Sequence, residues 1–453
     1  MSFAPYLAIL VTLGAGWAIV KKYQTHMVLF TAGIVMIVIA IAAGATAILP
    51  KGVKSTGLIW FDIVDLIRVI TGRQASGIGL IIMAAGGFAS YMNLIGASDS
   101  LVRICTAPLK MFKQPYFVLA LSYIMGQWMF AVIPSAAGLA MLLLIVVYPI
   151  LVGLGVSRAA AAAAIGTTGG MSMGPAAGTA ILAAQVSNLE PIIYFVKYQL
   201  PVGLPAMLTI AVLHFFVQRY FDRKNDDVYD TPVETKGEVK KSPGWYAILP
   251  VMPIALLCVF SKLGYDSILL HTITALFMIW VLAVIIEIIR LRDVNKVFKD
   301  AMTMFKSMGN MFATIVSLII AAEVFATGLK VSGLIDLIIA SAQGYGFGMT
   351  PMTVLLTGIV GLVTFLTGSG VGAYSSFATL ASTVAPALGG SVEMMVTPMQ
   401  FAGGMFRAIS PVAGVIIAVA GTAGVSPLAI VRRTIIPMTG GFIVMLIANF
   451  TLL

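Results

Sequence analysis

A lone arginine, Arg407, stands in Gln400-Phe-Ala-Gly-Gly-Met-Phe-Arg407-Ala-Ile-Ser410-Pro411-Val-Ala-Gly414, inside otherwise apolar sequence. A guanidinium is permanently charged, and its planar fork of donors matches a carboxylate at two points. Ser410 followed by Pro411 reads as an N-cap and first helical residue. A helix starting there would aim its unsatisfied N–H groups at Gly403, Gly404 and Arg407, and that combination describes an anion site. The competing reading is an arginine that snorkels to a lipid headgroup. The anion reading is favoured because the same segment recurs in the other half of the chain.

Hydroxyls gather at glycine-rich breaks in both halves. The first half offers Ser135, Gly138, Thr167, Thr168, Ser172, Pro175 and Thr179; the second offers Thr367, Ser369, Gly370, Tyr374, Ser375, Ser376, Ser410 and Thr422. Such groups, with freed backbone N–H and C=O, replace water around a carboxylate or a small cation. An isolated Ser or Thr in a helix usually bonds its own carbonyl, so clustering at the breaks is the informative feature. Two acids fall within apolar runs. Glu287 lies one turn from Arg290 and reads as an interfacial ion pair, whereas Glu323, in Ile-Ile-Ala-Ala-Glu323-Val-Phe-Ala, has no cation beside it in sequence and reads as a proton carrier.

These residues are embedded in 453 residues that are 60% hydrophobic and only 10% charged, with a mean hydropathy of +1.04. Such a chain is a polytopic membrane protein. Its net charge of +10 is spread singly between apolar segments, which fits positive-inside loops and not a nucleic-acid partner. Cys105 and Cys258 lie far apart, as do His26, His214 and His271, so neither a disulfide framework nor a metal centre is expected. An enzyme would need a nucleophile with its base or a metal cluster, and neither pattern is present. The first apolar run, 3–20, lacks a basic leader and reads as a span that stays.

Spans are predicted at 3–20, 27–49, 75–97, 116–134, 137–155 and 200–218, with an amphipathic interfacial helix at 57–72 and a broken, Ala- and Gly-rich segment at 159–186. After a charged stretch at 219–243 the plan restarts with spans at 245–263, 267–289, 308–328, 351–367, 371–388 and 434–452, an amphipathic segment at 290–306, and breaks at 368–372 and at Gly403-Gly404. Pro175, Gly178, Pro191 and Pro201 match Pro411, Gly414, Pro427 and Pro437 at one constant interval; Phe88, Ala89, Gly96 and Asp99 match Phe325, Ala326, Gly333 and Asp336 at an interval one residue longer.

Loop charge orients the repeats. Arg103, Lys110 and Lys113 occupy the loop at 98–114, while its counterpart at 335–350 holds no Lys or Arg, so equivalent loops face opposite sides. The prediction is an all-α protein of two inverted repeats, 1–218 and 244–453, with broken helices and re-entrant hairpins, joined by a cytoplasmic linker at 219–243, with both termini external. Lys51 and Lys54 fall on the outer side and count against this orientation. Inverted repeats with discontinuous helices describe a secondary transporter that binds its substrate near the midplane. The substrate set is Ser135, Thr167, Thr168, Thr179, Ser369, Gly370, Ser375, Gly404, Arg407 and Ser410; Glu323, Gly368 and Thr422 are assigned to a coupling Na+ or H+, and no other cofactor is expected.

The chain resembles the DcuC family of anaerobic four-carbon dicarboxylate transporters, in the ion transporter superfamily. The resemblance rests on Gly87-Phe-Ala-Ser-Tyr-Met92 with Ile95-Gly96-Ala97, Leu154-Gly-Val-Ser-Arg158, Ala183-Ala-Gln185, His214-Phe-Phe-Val-Gln-Arg219, Tyr246-Ala-Ile-Leu-Pro250, Gly368-Ser-Gly370, and Arg407 with Ser410-Pro411-Val-Ala-Gly414. It implies carriage of succinate, fumarate or malate across a bacterial inner membrane by symport or exchange, and a homodimer with scaffold and moving transport domains, an elevator. Two positions depart from the family pattern: Val371-Gly372-Ala373 stands where Asn-Ala-Pro is expected, and Thr179 where an acid often follows Pro-x-x-Gly. The alternatives are a carrier of another organic anion, such as a monocarboxylate, and an anion channel, which would need a continuous polar pore.

Overall fold

The computed structural model describes residues 3–453 apart from 22, 51, 225–241, 261–264, 266, 269 and 345–347. The first half opens with the apolar helices α1 (Ala4–Val20) and α2 (Thr25–Ala42). Helix α3 (Ile59–Gln74) then continues through a π turn at Ala75–Gly79 into α4 (Leu80–Leu94). Gly96, at φ +77°, redirects the chain into α5 (Ala97–Thr106). Next come α6 (Pro115–Val132), α7 (Ala136–Val146), α8 (Tyr148–Gly153) and α9 (Arg158–Thr167). Residues 168–177 leave helical geometry before α10 (Gly178–Val186). Helix α11 (Pro191–Tyr194) joins α12 (Leu200–Lys224) through a second π turn at Phe195–Gln199.

The second half repeats this order. Helices α13 (Met252–Val259) and α14 (Thr272–Leu291) form the opening pair, and α15 (Val294–Met311) runs through a π turn at Phe312–Val316 into α16 (Ser317–Val331). Gly333, at φ +75°, precedes α17 (Leu334–Gly344), followed by α18 (Met349–Thr367), α19 (Gly370–Ala378), α20 (Ala381–Ala387) and α21 (Val392–Ala408). A non-helical stretch at 409–413 separates α21 from α22 (Gly414–Ala423), and α23 (Pro427–Leu452) ends the chain. Among the described residues nine helical runs are long and apolar enough to cross a membrane. Together with the family established below, they make this a multi-pass membrane protein.

The halves pack by exchange. Helix α2 lies on α16, and α14 lies on α4, so each opening pair seats on the bent helix of the other half. Likewise α10 packs on α19 and α21, while α22 packs on α7 and α9, and α12 runs against α23. The run Ala159–Ala164 is buried, and its small side chains let α9 come close to α21, α22 and α23.

Four expectations are corrected by these elements. The amphipathic helix at 57–72 and the span at 75–97 form one run, Ile59–Leu94, bent where Gly77 leaves helical geometry (φ −87°, ψ −114°). The segments at 290–306 and 308–328 likewise form Val294–Val331. No helix stop separates the pieces, and a π turn absorbs the change of face without ending the hydrogen-bonded ladder. The Gly403-Gly404 pair lies inside continuous helix α21, and the break comes five residues later. Helix α12 continues to Lys224, so the polar stretch from 219 is helical at its start; residues 225–241 of the expected linker lie outside the described residues.

Candidate functional site

Helix α21 carries Gln400, Gly404 and Arg407 at i, i+4 and i+7, which places them along one face. That face meets the non-helical segment at 168–177. A Cβ on Gly404 would overlap the Gly170 carbonyl, and Gly403, one position away, receives Gly370 so closely that a Cβ there would overlap the Gly403 carbonyl. The glycine pair is therefore a crossing point at which α21 touches the broken segments of both halves. Arg407 Nη2 donates to Gly169 O at 2.7 Å, while its Nε–H is buried with no acceptor among the described residues.

The two helix starts converge on the same seam. Ser135 caps α7, its Oγ accepting from Gly138 N at 3.2 Å, and Ser369 caps α19 identically from Gly372 N at 3.2 Å. Ala136, the first residue of α7, sits against Gly169, where a Cβ would lie 2.7 Å from Ala136 Cβ. Gly368, at φ +73°, lets the turn after α18 press on Val412 and Ala413. Beside Ser369 lies a cavity of about 370 Å³ whose wall includes Thr25, His26, Thr314, Thr367 and Val412. Both hairpin turns, both breaks and Arg407 thus form one cluster.

Other predicted residues point elsewhere. Ser410 is not an N-cap: α22 starts at Gly414 with Ala413 before it, and Ser410 Oγ donates to Phe365 O of α18 at 2.7 Å. The helix start expected beside Arg407 is therefore absent, and the residue closes the last turn of α21. Thr168 turns back to Ile165 O (2.8 Å), its methyl against Gly126, and Thr167 bonds Ala164 O (2.9 Å) and His214 Nε2 (3.0 Å). Thr422 bonds Ala418 O (3.0 Å) far along α22, and Ser375 is buried on α19 beyond Gly370. Thr179 does join the seam, accepting from Gln400 Nε2 at 3.2 Å.

Glu323 has the partner that its sequence neighbourhood lacks. It pairs with Arg73 and accepts from Gln74, and Gln74 Oε1 accepts from Gln185 of α10 at 3.2 Å. The acid therefore has a cation and an amide donor beside it, and the reading of it as a free proton carrier, which rested on a missing neighbour, loses that observation. Glu287 keeps its expected pairing with Arg290 at 3.3 Å and also accepts from Tyr246.

Three sets of residues escaped sequence reasoning. Gln400 Nε2 donates to Ser172 O (3.1 Å), its Oε1 accepts from Gln199 Nε2 (2.8 Å), and Gln199 Oε1 accepts from Gly174 N (3.0 Å). This amide pair satisfies backbone groups that the break leaves without helical partners, where Ser172 has φ +49°. Arg433 is buried against Asp222 at 2.6 Å, and Asp222 also accepts from Ser157 N and Oγ and from Tyr116 OH. His214, read only as part of a motif, is fully buried beside Thr167. Polar residues inside apolar helices were the available signal; their partners, 201 residues distant between Gln199 and Gln400, 211 between Asp222 and Arg433 and 47 between Thr167 and His214, were not.

The comparisons agree with this architecture. The Neisseria gonorrhoeae transporter MtrF, described as illuminating a class of antimetabolite efflux pumps, superposes with a TM-score of 0.60 over 97% of each chain at 13% identity. The Alcanivorax borkumensis transporter YdaH, described as having an unusual topology, gives 0.59 over 94% of this chain and 98% of its own at 15% identity. Identities so low speak for the fold alone. In sequence, the anaerobic C4-dicarboxylate transporter DcuC of Escherichia coli K12 is 33% identical over 444 residues, covering 98% of this chain and 95% of its own. The probable anaerobic C4-dicarboxylate transporter DcuC of Vibrio cholerae is 32% identical over 447 residues, covering 98% and 97%. The model of the DcuC family, C4-dicarboxylate anaerobic carrier, matches residues 3–453. The family is one of transporters and not of enzymes, and this chain belongs to it.

Proposed function

We propose that the protein carries four-carbon dicarboxylates such as succinate, fumarate and malate across a bacterial inner membrane, binding one carboxylate at Arg407. The observation that carries this reading is the half-used fork: one arm of Arg407 rests on Gly169 O while the buried Nε–H lacks an acceptor among the described residues. A buried donor without a partner is costly, and a carboxylate taken from water needs a charge and several donors. The capped starts of α7 and α19 on the same seam supply further N–H groups. Arg407→Lys keeps the charge but loses the fork. It is expected to weaken binding by about 1–3 kcal/mol, and Arg407→Ala by more, with the melting temperature without substrate little changed. Substrate affinity and melting temperature of the purified variants check this; altered stability with normal affinity would return Arg407 to the lipid-anchor role.

The transport cycle in this reading is an elevator of inverted repeats. It is supported by the matching order of elements in the halves, the exchanged packing of α10 and α22, and the unequal Lys and Arg content of equivalent loops. The segments at 130–186 and 365–424 move together, the opening pairs hold a homodimer, and a gradient of H+ or Na+, or exchange of substrates, drives the cycle. Side-specific labelling in sealed membranes tests the arrangement: Lys224→Cys reacts from the cytoplasm only, and Ser369→Cys from either side as the cycle turns. External labelling of position 224 would overturn the orientation.

A further inference from the structure

We propose that His214 is a positioning residue that, as a neutral imidazole, holds the Gly169 carbonyl in place beneath Arg407. The inference rests on the reading of Arg407 as the carboxylate ligand. It starts from hydrogen bonds that leave His214 one tautomer. Arg433 Nη1 donates to Gln218 Oε1 at 3.3 Å, so the Gln218 amide nitrogen is the end that faces Arg433 O at 3.0 Å and His214 Nδ1 at 3.1 Å. An amide nitrogen only donates, so Nδ1 accepts and the proton sits on Nε2. Nε2 then donates to Thr167 Oγ1 at 3.0 Å, and that hydroxyl in turn donates its hydrogen bond to Ala163 O (3.0 Å) or Ala164 O (2.9 Å). Both ring nitrogens are used, and a proton added at Nδ1 would set donor against the Gln218 amide donor.

The consequence reaches the site in two steps. Thr167 is the last residue of α9, and the turn that follows is closed by Gly170 N donating to Thr167 O at 2.8 Å. That turn presents Gly169 O to Arg407 at 2.7 Å. A side chain that pins Thr167 therefore sets where the guanidinium lies. The far end of the chain is anchored too, since Arg433 pairs with Asp222, which holds Ser157 at the start of α9. Helix α9 is thus tied to α12 at both ends. The groups facing His214 are Tyr123 of α6, its ring 5.3 Å away, Thr167 of α9 and Gln218 of its own helix; Arg433 and Asp222 act on it only through Gln218.

His214→Gln places an amide donor near the position of Nε2 and is expected to keep substrate affinity within about twofold, whereas His214→Leu and Thr167→Val each weaken it roughly five- to tenfold. The double variant should be no worse than either alone, because both remove one bond. The pH profile of transport should be the same for His214→Gln as for the parent. A shifted profile, or a strictly additive double variant, would overturn the proposal, as would a His214→Leu protein with a lower melting temperature but normal affinity. Arg407→Ala, measured alongside, separates the two readings. If Arg407→Ala binds normally, the carboxylate site is misplaced; if it fails to bind while His214→Leu binds normally, only the positioning role is lost.

Discussion

Gly404→Ala is expected to lower substrate affinity by about a hundredfold. The added carbon would overlap the Gly170 carbonyl and lie 3.0 Å from Ser172 Oγ, and both belong to a segment that cannot retreat. Other elements back it: a Cβ on Gly170 would lie 3.4 Å from Met438 Sδ of α23 and one on Gly169 2.7 Å from Ala136 Cβ of α7, while Gly174 N donates to Gln199 Oε1 at 3.0 Å. Overpacking of this kind costs about 1–3 kcal/mol and is relieved by backbone shifts. Here the shift separates α21 from 168–177, and Arg407 with it from Gly169 O. Displacements near 1 Å cost on the order of a hundredfold where geometry is shared between partners. Gly370→Ala, overlapping the Gly403 carbonyl from the second half, should behave alike. Gly414→Ala is the control: nothing lies within 4 Å of its Cβ, and both affinity and melting temperature should stay at parent values. Equilibrium binding with the three purified variants measures this, and a Gly404→Ala protein of normal affinity would show that the crossing does not shape the site.

Arg433→Leu should be the most destabilising of the charge changes, by about 3–5 kcal/mol. Its side chain is 3% exposed and that of Asp222 6%, so removing the cation strands a carboxylate in a low-dielectric interior. Exposed pairs behave differently: Arg68 with Asp65, where the arginine is 71% exposed, should be worth less than about 1 kcal/mol. The double variant Arg433→Leu/Asp222→Leu is expected to recover only part of the loss. Asp222 also accepts from Ser157 N, Ser157 Oγ and Tyr116 OH, and these donors would lose their acceptor. Thermal unfolding in detergent, with a double-mutant cycle, reads both numbers. A melting temperature for Arg433→Leu equal to the parent's would mean that the pair is not buried in the working protein.

Much of this molecule is legible in its sequence. Length of apolar runs is a one-dimensional property set by bilayer thickness, so the membrane class and most spans follow from counting, whereas the expected span at 371–388 divides into α19 and α20 and the one at 245–263 holds only the short α13, Met252–Val259. Matching prolines and glycines at a constant interval expose the repeated plan because the same turn needs the same residue types each time it is built. The break at 168–177 is announced by Gly166-Thr-Thr-Gly-Gly170, and Arg407 stands out because a fixed charge in apolar sequence is rare.

What the tertiary structure decided is how these features are used. Glycine serves a broken helix and a close helix crossing for the same reason, the missing Cβ, so Gly403-Gly404 could be read either way from sequence and only the nearness of Gly170 and Gly370 assigns it to the crossing. Ser410 had the chemistry of a cap, but the chain around it is shaped by α18, whose Phe365 carbonyl takes its hydroxyl. Glu323 with Arg73, Arg433 with Asp222, Gln400 with Gln199 and His214 with Thr167 are pairings between helices. Except for the last, they span some two hundred residues or more. Helical periodicity tells which residues share a face of one helix and carries no information about which other helix that face will meet.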